Sequence, residues 1–109
     1  MPHYMFQGGW TPETWARMMH TPEDRAAVLR QQFERAGGRL EALYFTFGQD
    51  DFVGLGELPD NVTAAALAIA AAASGALRNL RTTPLMTVQE AMEAMGKAGQ
   101  MGYRPPGAS

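Results

Sequence analysis

The amino-acid sequence predicts one α+β domain in which elements follow the order strand, helix, strand, strand, helix, strand, with a last helix appended. Three observations predict it. Residues 40–60 (LEALYFTFGQDDFVGLGELPD) hold two aromatic and branched runs split by Gly48-Gln49-Asp50-Asp51, the signature of two strands meeting at a tight acidic corner. Capping residues stand before four helical segments, at Thr11, Thr21, Asp60 and Thr87. Hydrophobic residues make up 46% of 109, enough for one packed core.

The first strand is expected over residues 3–8 (HYMFQG), bounded by Pro2 and Gly8-Gly9. Alternation puts Tyr4 and Phe6 on one face and His3, Met5 and Gln7 on the other. Thr11-Pro12-Glu13 joins a capping Thr, a Pro at the first helical position and an acid in the first turn, predicting a short helix over 12–19. The same device at Thr21-Pro22-Glu23-Asp24 predicts a longer helix over 22–36, with Ala26, Leu29, Phe33 and Ala36 as its core stripe. Gly37-Gly38 ends it.

Strands over 40–47 and 52–58 form the central hairpin. Strict alternation assigns Leu43, Phe45 and Phe47 to one face and Leu40, Ala42 and Tyr44 to the other. Asp60 caps a helix running to about Ser74, with Gly75 as terminator and an interior of alanines almost free of charge. Small side chains all round predict a helix lying close to the sheet. Leu77–Leu85 reads as the last strand, with Pro84 near its end. Thr87-Val88-Gln89-Glu90 is a capping box, and Val88, Ala91, Met92 and Met95 make a narrow apolar stripe. The domain is expected over residues 1–98, followed by a loose Gly- and Pro-rich tail over 99–109. The βαββαβ order with right-handed crossovers is the ferredoxin-like arrangement: a four-stranded antiparallel sheet with both main helices on one side.

Nine basic and eleven acidic residues give a net charge of −2, which is no footprint for nucleic acid and no polybasic membrane patch. There is no cysteine, which excludes thiolate chemistry and disulfides. The opening MPHYMFQGGW has neither a basic stretch nor a long apolar run, so no signal peptide is expected and a cytoplasmic setting is. Apolar residues on both faces of the hairpin exceed what two helices can cover, which predicts a second copy packed sheet to sheet.

Three stretches together, HYMFQGGWTPETW, GGRLEALYFTFGQDDFVGLGELPDNVTAAALAIA and LRTTPLMTVQEAMEAM, resemble the GYD-domain family of small bacterial proteins of mostly unassigned function. They cover most of the chain up to about Met95. The family's name-giving pattern, Gly, any residue, then Tyr-Asp, falls on Gly48 to Asp51, with Asp50 where the family has Tyr. The resemblance implies a dimeric α/β barrel: a homodimer whose two sheets enclose a cavity. The wider group includes cofactor-independent monooxygenases, heme-handling enzymes, small isomerases and stress-response proteins, so the fold leaves the chemistry open.

Asp50, Asp51 and His3 are the candidate catalytic residues. An acid at the mouth of a cavity, its pKa raised by burial, can move protons. The bland reading of both aspartates is turn formation, with Asp51 bonding backbone amides across the corner. A cavity-facing His3 can serve as a base or as an axial ligand to heme; the bland reading is a strand-end histidine. Gln7, Tyr44, Thr46, Asn79 and Arg81 are candidate ligand-binding groups on the sheet face turned from the helices, or hydrogen-bonding groups between protomers. Arg78 and Arg81 have opposite parity, so one anion site made of both is not expected. The two histidines lack metal-ligand spacing, no metal site or cofactor is expected, and no nucleotide-binding or hydrolase motif is present. The leading reading is a homodimeric small-molecule-binding protein with an optional cofactor-free activity. A non-catalytic assembly module is the alternative.

Overall fold

The computed structural model describes residues 1–108 of the chain; Ser109, the end of the expected tail, lies outside the described residues. Eight elements follow one another: β1 (His3–Trp10), α1 (Pro12–His20), α2 (Arg25–Arg35), β2 (Arg39–Phe45), β3 (Phe52–Glu57), α3 (Asn61–Ala73), β4 (Leu77–Leu85) and α4 (Val88–Ala98). The strands form one antiparallel sheet in the order β2-β3-β1-β4, which is the expected ferredoxin-like topology.

Both main helices lie on one face of that sheet. Tyr4, Phe33, Leu40, Leu58 and Ala64 form the buried core, with Phe6, Leu29, Leu43 and Leu67 packed around it. Gly54 and Gly56 make room for this layer: a Cβ on Gly54 would stand 2.3 Å from the Phe6 ring, and one on Gly56 would stand 2.5 Å from the Phe33 ring. The two rings meet at 5.5 Å between centroids. The glycines of β3 thus mark a close approach, as glycine within a strand often does.

The caps explain most of the boundaries. Thr11, Asp60 and Thr87 each accept a backbone N–H of the first helical turn, and Glu90 completes the capping box of α4. The second helix begins later than expected. The Thr21 backbone N–H closes α1 on the Arg17 carbonyl, and the Asp24 carboxylate caps α2 by accepting the Ala27 N–H. Pro22 and Glu23 are therefore linker, because Thr21 cannot finish one helix and open another at once.

Two irregularities change which side chains share a face. The register of β2 on β3 shifts between Leu40 and Ala42, so Leu40 joins Leu43 in the core, and Ala42 and Tyr44 point the other way. Strict alternation fails there because a bulge inserts one residue. A second shift occurs opposite Gln7 and Gly9, where Asn79 takes a φ of 52°.

The far face of the sheet carries no helix. His3, Met5 and Gln7 lie there opposite Glu57, Leu55 and Val53. Helix α4 also stands apart. Val88, Met92 and Met95 are exposed along its apolar side. The long dimension of the molecule is 62 Å against 32 and 23 Å for the others. The radius of gyration is 17.6 Å, where a compact chain of this length has about 13 Å. No helix among the described residues is long and apolar enough to cross a membrane.

Candidate functional site

The chemistry-bearing side chains gather at three places. The acidic corner between β2 and β3 is the most tightly bonded. Asp51 is buried, and one carboxylate oxygen, Oδ2, accepts three donors: the Trp10 backbone N–H at 3.0 Å, the Trp15 indole Nε1–H at 3.2 Å and the Arg78 guanidinium at 3.1 Å. Its backbone N–H donates to the Gly8 carbonyl at 2.8 Å, and its own carbonyl accepts the Thr46 N–H at 2.7 Å. One residue thereby ties the hairpin to β1, α1 and β4. The Trp10 backbone N–H above all, then the Trp15 indole and Arg78, holds the Asp51 carboxyl below its ordinary range, against burial, which pushes it up. The direction is opposite to that expected of a proton-moving acid. The corner instead matches the bland expectation, a carboxylate bonding a backbone amide across the turn.

Asp50 is ion-paired with Arg81, and the Thr46 hydroxyl donates to the Asp50 carbonyl at 2.6 Å. Arg78 and Arg81 therefore both reach the corner, each on its own aspartate, contrary to the parity argument. The irregularity at Asn79 is the physical reason: one extra residue in β4 cancels the alternation between them. Asn79 itself is exposed and shapes the strand.

The second place is the helix-free face. Tyr44, Val53, Gln7 and Arg81 fall opposite one another on successive strands and form a single row across the sheet. Three of the expected ligand-binding residues are thus brought together on the expected face. Tyr44 is 63% exposed, so the row is open to solvent in the single chain. His3 lies at the opposite end of β1 from the corner. Its Nδ1 is 2.9 Å from Glu41 Oε1 and its Nε2 is 3.3 Å from Glu57 Oε1, while Arg39 takes the other oxygen of Glu57 at 3.2 Å. The three donor atoms of His3, Glu41 and Glu57 lie within 4.8 Å of one another, a set that can hold a divalent cation. With a protonated ring the same group is a closed ion network in which two cations balance two carboxylates. Either nitrogen must give up a carboxylate before it can ligate heme iron.

The third place is a cavity of about 320 Å³ between the sheet and helices α2 and α3. Phe6 and Phe52 of the sheet, Phe33 of α2, and Ala64, Ala68 and Ala71 of α3 are among its walls. The alanines recur at helical spacing, so α3 offers a shallow face where larger side chains would fill the layer. Ala64 brings the start of α3 into the core, as its small side chains led one to expect, and the cavity opens along the alanines beyond it. Trp10 lines the inner end and packs on Phe52 at 4.7 Å between centroids, and the Arg25 guanidinium stands 5.8 Å from its ring centroid. Trp15 meets Phe45 edge-on at 6.2 Å.

None of His3, Gln7, Tyr44, Thr46, Asp50, Asp51, Asn79 and Arg81 lines this cavity. Reading the sequence by polar candidates missed it because its wall is apolar. The signal was a mismatch of volume: Phe6, Trp10 and Phe52 in the strands, with Phe33 in α2, face a helix with almost nothing but alanine.

No curated protein matches the sequence. The model of one family, described as the GYD domain, matches residues 4–95, which run from β1 through the corner and the cavity walls into α4. The chain belongs to the GYD-domain family.

Proposed function

We propose that this protein binds a small molecule in the cavity between its sheet and helices α2 and α3, and works as a homodimer joined through the helix-free face. One observation carries the first part. A half-open cleft of about 320 Å³ persists between the sheet and the two helices, bounded by aromatic rings, leucines and alanines. That is the small end of the range for ligand cavities, and the predominance of apolar walls with a few polar groups is their usual make-up. A mostly apolar cleft open to water exposes surface that a bound molecule would cover.

The homodimer rests on a different observation. Met5, Val53, Leu55, Ala42 and Tyr44 form an apolar strip on the uncovered face, and among the described residues no further helix lies over it. The polar row of Gln7, Tyr44 and Arg81 then lies at the contact between protomers, where it sets register rather than holding a ligand.

Filling the cavity tests the binding. Ala71→Leu projects into it, whereas Ala65→Leu adds the same volume on the exposed side of α3. Native mass spectrometry of protein purified from cells, supplemented with a panel of apolar fluorophores, should show bound compound in the native chain and in Ala65→Leu. It should show none in Ala71→Leu. Equal binding by all three would refute the cavity as the site.

A further inference from the structure

We infer that His3, Glu41 and Glu57 bind one divalent first-row metal ion such as Zn²⁺ on the helix-free face of the sheet. The site is separate from the cavity, whose walls include none of the three. The residues belong to three adjacent strands, so no spacing along the chain records them. His3 stands opposite Glu57 in the register of β1 on β3. Glu41 has no register partner: it is the residue that the β2 bulge inserts, and its carboxylate reaches over β3 to the His3 ring. Bulges beside functional sites commonly re-aim a side chain in this way. Among the described residues this is the one place where three such ligand groups converge.

The spacing of the donor atoms fits an ion. Ligand bonds of about 2.0–2.2 Å around a tetrahedral centre place the ligand atoms about 3.4 Å apart. His3 Nε2 and Glu57 Oε1 are already 3.3 Å apart. The third atom, from Glu41, lies within 4.8 Å of the other two, and its partly exposed side chain closes the difference by turning from Nδ1 to the ion. Arg39 donates to Oε2 of Glu57 from Nε at 3.3 Å and from Nη2 at 3.2 Å, which leaves Oε1 for the ion. An outer partner that fixes a ligating carboxylate is a regular part of metal sites. One imidazole with two carboxylates suits a first-row ion better than Mg²⁺ or Ca²⁺, whose ligands are oxygens. The His3 and Glu41 side chains are 37% and 32% exposed, which leaves the remaining coordination positions to water or to an oxygen of a small anion. The ion takes the place of the ring proton that otherwise bridges the carboxylates, so the ion network and the metal site are two states of one cluster.

Calorimetric titration of Zn²⁺ into the full chain, without a purification tag, at neutral pH and in a large excess of Mg²⁺, tests the site. One ion per chain is expected, with the same affinity in His20→Ala, which removes the other histidine. His3→Ala, Glu41→Gln and Glu57→Gln should each weaken binding by about tenfold or more, the scale for losing a group that a metal site depends on. Circular dichroism confirms that each variant is folded. The two glutamines keep the size of the side chains they replace, so they decide the matter even if His3→Ala does not fold. Absence of Zn²⁺ binding by the native chain, or binding that survives His3→Ala, would overturn the site, as would a loss in His20→Ala. Native affinity in both glutamine variants would reduce it to an ordinary exposed histidine, and displacement of Zn²⁺ by Mg²⁺ would reduce it to an acidic patch.

Discussion

Removing the Asp51 carboxylate should destabilise the fold by an amount set by one donor out of three. In Asp51→Ala the Trp10 backbone N–H is left buried without an acceptor, which costs about 1–3 kcal/mol. The Trp15 indole belongs to a residue that is 39% exposed, and the Arg78 side chain is 44% exposed, so both can return to water. Their loss adds about 0–1 kcal/mol, the usual scale for exposed pairs. The expected total is therefore about 1–4 kcal/mol. Asp51→Asn should cost less, about 1 kcal/mol, because all three donors converge on Oδ2 and an amide oxygen can take that place. Urea unfolding followed by circular dichroism, at one fixed protomer concentration, measures both.

The pH dependence follows from the direction of the shift. The folded state holds the Asp51 carboxyl below its ordinary value of 3.8, so the stability it contributes is fully present above pH 3.8. It is lost as the pH falls below that value through the folded pKa. The gap between native chain and Asp51→Ala should accordingly be constant from pH 7 to about pH 5 and narrow in strong acid. A variant within about 0.5 kcal/mol of the native chain at pH 7 would refute the tethering role, since surface substitutions without a structural job fall in that range. An equal cost for Asn and Ala would refute the account of one shared acceptor oxygen.

The glycines and the open face give two further predictions. Gly56→Ala places a methyl 2.5 Å from the Phe33 ring and 3.0 Å from the Arg39 carbonyl, so the buried ring and the β2 backbone must both shift to admit it. A loss of about 1–3 kcal/mol in thermal unfolding is expected, the range for overpacked cores; a neutral result would mean the aromatic layer is loose. Val53→Lys with Leu55→Lys sits on the helix-free face, where both residues are half-buried in the single chain. Sedimentation velocity should then show a folded 11.8 kDa protomer in place of a species of twice that mass. A native chain that already sediments at 11.8 kDa would end the homodimer reading.

What could be read from the sequence, and what could not, divides along local against non-local physics. The caps at Thr11, Asp60 and Thr87 act within one turn of their own position, and each opens the helix assigned to it. The sides of β1 follow from alternation alone, and Tyr4 and Phe6 do face the core. Thr21 failed because the chain there had two possible uses for one residue, and Asp24 lay three positions on with an equally good carboxylate. Leu40 and Arg78 failed because each stands beside a bulge, and a single inserted residue reverses every later side assignment. The cavity is harder still. It arises from the summed volume of α3 against β1 and β3, elements far apart in the chain, and no short motif records such a sum. The polar candidates chosen from the sequence went to the corner and the open face, away from the cavity.

The acidic corner and the cavity are nonetheless one construction. Asp51 stands in the stretch that gives the family its name, and its strongest bond is to the backbone of Trp10. That bond fixes the last residue of β1 at the point where the strand meets α1. The side chain of the same residue closes the inner end of the cavity, flanked by Phe52 and Phe45. A carboxylate outside the cavity thus fixes the position of an indole inside it, and does so best when ionised, because all three of its partners are donors. Proton transfer by Asp51 would release those donors and loosen the wall it supports. In this chain Asp51 positions Trp10 at the aromatic end of the cavity through bonds that its ionised form accepts.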